Sequence, residues 1–246
     1  MESNSPPDGH ADLDAVVRRA DPDRWLASRF IGAPDLRADL IALYALNHEL
    51  ARVAETVREP LMGEIRLAWW REALDEIFAG GPVRRHPVTD ALASAIRRRN
   101  LARAPLEAMV EARFADLEPE TLADEAALRA YVDGTAGALM ALAIAAAGGG
   151  DAHDLRPIAW AWGLAGLLRL RQAGVARLPE RWDETAVRRA VRDALKAARP
   201  AVEALPVDAF PCIAYATLAG PYAAGRAPSE LERRLRLTLA VLTGRL

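Results

Sequence analysis

Only one cysteine, Cys212, occurs in this chain of 246 residues. An internal disulfide and a cysteine-built zinc site are therefore excluded, and the cysteine usage fits a reducing compartment. Histidine is almost as scarce. His10, His48, His86 and His153 stand far apart, with no His-Glu-x-x-His pair to hold a catalytic zinc. His86 and His153 sit at expected helix starts beside Pro87 and Asp154, where capping is their ordinary role. No glycine-rich loop precedes a helix, because Gly148–Gly150 follows one. Neither sign of charge dominates: 32 basic against 34 acidic residues leaves a net charge of −2, without the basic field that nucleic acid requires. The most apolar run, Gly134–Gly150, is dominated by alanine and is too short and weakly apolar to cross a bilayer by itself, so it is expected as a buried helix. Strand signals are nearly absent too, since β-branched residues rarely cluster and no Asn-Gly or Asp-Gly turn joins alternating runs.

What the chain does contain is helix punctuation. Asp21-Pro22, Pro34, Pro60, His86-Pro87, Pro105, Asp183-Glu184 and Ser229 with Glu232 each mark a helix start, and Gly80-Gly81-Pro82 marks a stop. With 52% hydrophobic residues and short loops, this predicts an all-α protein of roughly ten helices. Residues 1–20 are polar and acidic at their start, lack the basic and apolar regions of a signal peptide, and read as a disordered tail. Residues 21–246 contain no fixed-period repeat and no long linker, so one domain is expected.

The stretch Tyr44–Glu59 bears most on function. Its apolar residues recur at helical spacing, which predicts one amphipathic helix running on to Arg58, and its polar side carries Asn47, His48, Glu49, Arg52, Glu55, Arg58 and Glu59. In the next helix Trp69 and Trp70 are adjacent. Successive helical positions lie about 100° apart, so one ring is expected in the core and the other beside a cavity or a neighbouring helix. Arg66, one turn earlier, can stack, pair with Glu49 or meet an anion.

Several segments, taken in order, resemble the squalene/phytoene synthase family. They are Arg29-Phe30, Leu40–Leu46, Arg66-Leu67-Ala68-Trp69-Trp70-Arg71, His86-Pro87-Val88, Tyr131-Val132-Asp133-Gly134-Thr135-Ala136-Gly137, Gly163-Leu164-Ala165 and Arg177-Leu178-Pro179. The resemblance runs from about Asp21 to the C-terminus. It implies an isoprenoid-synthase helical bundle around a central apolar cavity. In active members, it further implies, two prenyl diphosphates join head to head over Mg²⁺ held by two aspartate-rich motifs. Magnesium requires hard oxygen ligands, and a diphosphate cannot depart into an apolar space without cations.

Both motifs are degenerate here. Where the family pattern places its paired aspartates this chain has Ala51 and Arg52, and only Glu55 retains a carboxylate. The family's glutamine falls on Gly166. No Asp or Glu occurs from Arg156 to Leu178, a region that contains Arg169, Arg171 and Arg177. The pattern is most similar to the aspartate-poor branch that includes a phytoene-synthase-like assembly factor of mitochondrial complex I.

The leading expectation is therefore a non-catalytic family member without a cofactor, serving as an assembly or lipid- or isoprenoid-binding factor. Its candidate pocket comprises Tyr44, His48, Glu49, Arg52, Glu55, Arg66, Trp69, Tyr131 and Arg169. The implied partners are an isoprenoid or lipid and a protein in membrane-complex assembly. A cytoplasmic location is expected, with peripheral contact to the inner face of a membrane as a minority reading of the arginine groups. Two alternatives stay open. One is an active, Mg²⁺-dependent prenyltransferase rearranged around Glu49, Glu55 and Glu59. The other is a helical partner-binding module without a ligand.

Overall fold

Aspartate, serine and proline set where the helices begin. Asp12, Asp21, Asp124, Asp183 and Ser229 each accept a backbone N–H of the following first turn, and Pro22, Pro34, Pro60 and Pro87 each open a helix. A computed structural model describes residues 12–118, 122, 124–149, 154–175, 178–179 and 181–246, and among these there is no strand. His10, His153 and Arg177 lie outside the described residues.

The helices are α1 (Leu13–Ala20), α2 (Pro22–Ser28), α3 (Pro34–Ala51), α4 (Val53–Thr56), α5 (Pro60–Ala79), α6 (Pro87–Arg99), α7 (Arg103–Ala112), α8 (Glu125–Val132), α9 (Ala138–Ala146), α10 (Arg156–Gln172), α11 (Glu184–Ala197), α12 (Arg199–Glu203), α13 (Ala219–Ala223) and α14 (Glu230–Thr243). Short 3₁₀ turns at Arg113–Asp116, Val207–Cys212 and Ala214–Leu218, and one π-helical turn at Asp133–Gly137, join or interrupt them.

The core lies between α3, α9 and α10. Leu40, Leu43, Leu46 and Leu50 of α3, with Leu139 and Met140 of α9 and Leu164 and Leu168 of α10, are almost entirely buried. Each such side chain contributes about 1.5–3 kcal/mol of apolar burial. Small residues set the spacing. At Gly163 a Cβ would lie 2.7 Å from Val132 Cγ1, so α10 can approach α8 this closely only through glycine.

Three expectations change. Leu13–Ala20 is helical, not a tail, because Asp12 caps it and Val17 is fully buried in the core. The single helix expected through Tyr44–Glu59 instead ends at Ala51. One further turn, α4, follows, and Val57 and Glu59 are extended. Two local effects stop it. Thr56 Oγ1 donates back to the Arg52 and Val53 carbonyls, and Pro60 disfavours helical backbone at the residue before it. Finally, the helix through Gly134 is interrupted by the π-helical turn at Asp133–Gly137. Its full run, Glu125–Ala146, spans 22 residues and is by length and composition apolar enough to cross a membrane. Yet it packs on α3, α7 and α10, as a core helix does.

Candidate functional site: a central cavity and a separate groove

The π-helical turn has a consequence for the site. A π-bulge re-aims the side chains around it, and such bulges are frequent at functional sites. Here Tyr131, Val132, Thr135 and Ala136, on and beside the bulge, line a cavity of about 550 Å³. The end of α3 and α4 supply Asn47, Ala51, Ala54 and Glu55. From α10 come Trp162, Gly163, Gly166, Leu167 and Leu170, and α2 adds Arg24.

The cavity combines an apolar wall with two paired cations. Arg24 is 6% exposed and its Nη1 lies 2.6 Å from Asp21 Oδ2. The guanidinium also sits 4.7 Å from the Tyr215 ring centre and 5.5 Å from that of Trp162. Burial disfavours its charge, but Asp21 and Tyr215 outweigh that and raise its pKa. At Arg113, Nη1 donates to Asp116 Oδ2 at 3.1 Å and to the Tyr131 hydroxyl at 3.0 Å, and Nη2 donates to Asn47 Oδ1 at 3.2 Å. The Tyr131 hydroxyl in turn donates to Asp116 Oδ1 at 2.7 Å, and burial pushes its pKa up, so it stays protonated. In the Val207–Cys212 turn, Cys212 is fully buried and its thiol is pushed up to about 12 by burial, which removes it as a nucleophile.

Of the nine candidate residues, Glu55 and Tyr131 reach this cavity. Glu49, Arg52, Arg66 and Trp69 line a different space, a groove of about 340 Å³ shared with Trp70 and His86. There Arg52 pairs with Glu49 at 3.3 Å and Arg66 donates to Thr56 at 2.6 Å, so Arg66 does not take Glu49 as partner. Trp70 is the core ring, 5% exposed, and Trp69 meets it edge-on at 4.9 Å with both rings against His86. Tyr44 is in neither space. It is 1% exposed, and its hydroxyl has no hydrogen-bond partner among the described residues. His48 and Arg169 also line neither, and Arg169 stacks 4.0 Å from the centre of the Tyr222 ring. Sequence reading passed over Arg24, Arg113, Asp116 and Trp162. The only local sign of the Arg113 site is the Arg113/Asp116 spacing of three, common on any helix surface.

A Mg²⁺ cluster of the kind implied by the resemblance does not fit these residues. Glu55, Asp116 and Glu118 are the acids lining the cavity, and Asp116 is already bonded to Arg113 and Tyr131. Among the described residues no three His, Cys, Asp or Glu side chains are grouped to hold a metal ion. The α10 wall presents Gly166 and Leu170, and the α3 wall presents Ala51.

In the first turn of α2, Asp23 is 3% exposed, accepts from the Tyr222 hydroxyl at 2.6 Å and faces Arg233 at 3.4 Å. Burial raises its pKa above the ordinary 3.8, against the opposing pull of Tyr222 and Arg233. The folded state therefore holds this proton to higher pH than the unfolded chain does. Stability contributed here is greatest below the unfolded carboxylate pKa, and it falls as pH rises up to the raised one. Asp23→Asn is expected to flatten that fall, read as urea midpoints between about pH 4 and 7.

A profile of the squalene/phytoene synthase family matches residues 17–170. Complex I assembly factor 6 of NADH dehydrogenase (ubiquinone) from Rattus norvegicus is 29% identical over 147 residues, 60% of this chain and 44% of that protein. The Homo sapiens assembly factor 6 is 29% identical over 138 residues, 56% of this chain and 41% of its own length. The chain thus matches less than half the length of these relatives. Among solved structures, a dehydrosqualene synthase in complex with ligand superposes with a TM-score of 0.72 at 14% identity, covering 94% of each chain. Squalene synthase HpnC from Alicyclobacillus acidocaldarius superposes with a TM-score of 0.66 at 17% identity, again covering 94% of each.

Proposed function

Because this chain belongs to the squalene/phytoene synthase family, we propose that it uses the family's cavity to hold a lipid or isoprenoid without prenyl-diphosphate chemistry, in the service of membrane-complex assembly. One observation carries the reading. The cavity is open, at about 550 Å³, while its α3 wall carries Ala51 where the family pattern places an aspartate, and its α10 wall, from Trp162 to Leu170, contains no acid. Metal-assisted departure of a diphosphate needs hard oxygen donors from both faces. An apolar guest needs only the wall. Leu170 and Val175, 40% and 60% exposed, line the cavity and extend its apolar surface to the outside.

The rearranged prenyltransferase fits less well. It needs Glu49 and Glu55 to act together, and they line different spaces, the groove and the cavity. The assembly role draws support from the relatives named above, and it would place the protein in the cytoplasm beside a membrane.

Three experiments test the proposal. Purified protein given farnesyl or geranylgeranyl diphosphate with Mg²⁺ is expected to release no pyrophosphate above the buffer rate; catalytic release would overturn the reading. Mass spectrometry of a solvent extract is expected to find a co-purifying lipid or isoprenoid, and its absence would favour the ligand-free module. Loss of the gene is expected to lower assembled NADH dehydrogenase, and unchanged complex levels would remove the assembly role.

A further inference from the structure

Among the described residues, both cations that line the central cavity are already held by carboxylates. Arg24 Nη1 lies 2.6 Å from Asp21 Oδ2, and Arg113 Nη1 donates to Asp116 Oδ2 at 3.1 Å. The side chains of Arg113 and Asp116 are 12% and 22% exposed, and the Arg24 pair is buried further, so water and salt screen both pairs little. The other described charges of the lining, Glu55 and Glu118, are both acids. Glu55 is exposed and has no ion pair or hydrogen bond among the described residues.

Hydrogen-bond donors, in contrast, are left over. Arg113 Nη2 donates to Asn47 Oδ1 at 3.2 Å, which fixes the amide's orientation. Both N–H groups of Asn47 Nδ2 then have no partner among the described residues. Arg24 Nε is buried and has none either. The Tyr131 hydroxyl is fully used, because it accepts from Arg113 and donates to Asp116.

We infer that the molecule held in this cavity carries an uncharged oxygen at its head, a hydroxyl or a carbonyl on an apolar chain, and not a phosphate or carboxylate. This rests on the cavity being a lipid or isoprenoid site, and it names the class of guest. An uncharged oxygen accepts from the leftover donors without needing a free positive charge. Its chain has the wall of Ala54, Val132, Ala136, Leu167 and Leu170. A volume of about 550 Å³ suits one small molecule. A diphosphate brings several negative charges. To gain a full counter-charge it would have to draw an arginine away from its carboxylate, leaving that carboxylate largely buried and unpaired. It would also face Glu55 and Glu118. Asp116 is thus a specificity-determining residue: by neutralising Arg113 it turns an anion-binding group into part of a neutral wall.

Equilibrium dialysis tests this on the full chain, freed of co-purified lipid over a hydrophobic resin. Farnesol and farnesyl diphosphate are compared without and with Mg²⁺. Farnesol is expected to bind at least about tenfold more tightly in both conditions. Farnesyl diphosphate binding as tightly as farnesol overturns the inference and leaves the lipid-holding cavity standing, whereas binding of neither overturns both. Farnesol binding that survives Gly166→Phe also overturns it, because the preference then belongs to another surface. Asp116→Asn, which frees Arg113, is expected to raise the affinity for farnesyl diphosphate by at least about tenfold, with the melting temperature reporting the fold. Glu55→Lys, an exposed change outside the buried network, places an unpaired cation in the lining and is expected to raise it as well. Diphosphate affinity indifferent to both substitutions overturns the inference.

Discussion

Arg24→Met is expected to lower folding stability by about 3–5 kcal/mol, among the largest losses any single change in this chain produces. The arginine side chain is 7% exposed and that of its partner Asp21 is 19% exposed. Removing the cation leaves the largely buried Asp21 carboxylate without its counter-charge, and it removes the guanidinium from the Tyr215 and Trp162 rings. Methionine restores much of the apolar volume, so the loss reports the charge. Asp21 also caps α2 through the backbone N–H of Arg24, a bond that the substitution leaves in place. Asp21→Asn in the Arg24→Met background is therefore expected to recover part of the loss, because no bare carboxylate then remains. Urea unfolding checks both. A loss under about 1 kcal/mol for the single change would show that water already screens this pair.

The second large effect is on ligand rather than fold. Gly166 lines the cavity, and a Cβ added there meets no atom within 4 Å. Gly166→Phe therefore fills the space with a ring and leaves the packing of α10 alone. Replacing a mid-helix glycine also gains a few tenths of a kcal/mol in helix propensity. The expected result is an unchanged or slightly raised melting temperature with at least a tenfold drop in co-purifying lipid, about 1.4 kcal/mol of affinity. Lipid content that survives the substitution would place the bound molecule outside this cavity. The neighbouring Gly163 makes the contrast. A methyl there would strike Val132, so a loss of lipid after its substitution could not be separated from damage to the fold.

Much of the architecture was legible because helix starts are local. Asp21-Pro22, His86-Pro87, Asp183 and Ser229 each cap or open a helix in the structure as their chemistry predicts. The site was less legible. Glu49, Arg52 and Glu55 occupy one short stretch of polar residues, and only the turn at Arg52 sends Glu55 to the cavity while Glu49 stays with the groove. Helical periodicity carries no notice of that turn, and the Thr56 back-bond and the proline four residues later then end α4. Tyr44, which reads as a polar-tipped residue near a site, lies wholly inside the core. Arg24 and Arg113 are nearly ninety residues apart in the chain, and nothing in either neighbourhood distinguishes them from surface arginines.

The sequence by itself determined the all-α class, most helix boundaries and the lack of carboxylates at Ala51 and Arg52 and from Arg156 to Leu178, since these follow from residue type and near-neighbour geometry. Tertiary structure alone decided which polar groups share a cavity and which tryptophan enters the core. Those facts depend on how distant helices pack, and packing is chosen by burial summed over the whole chain rather than by any one segment.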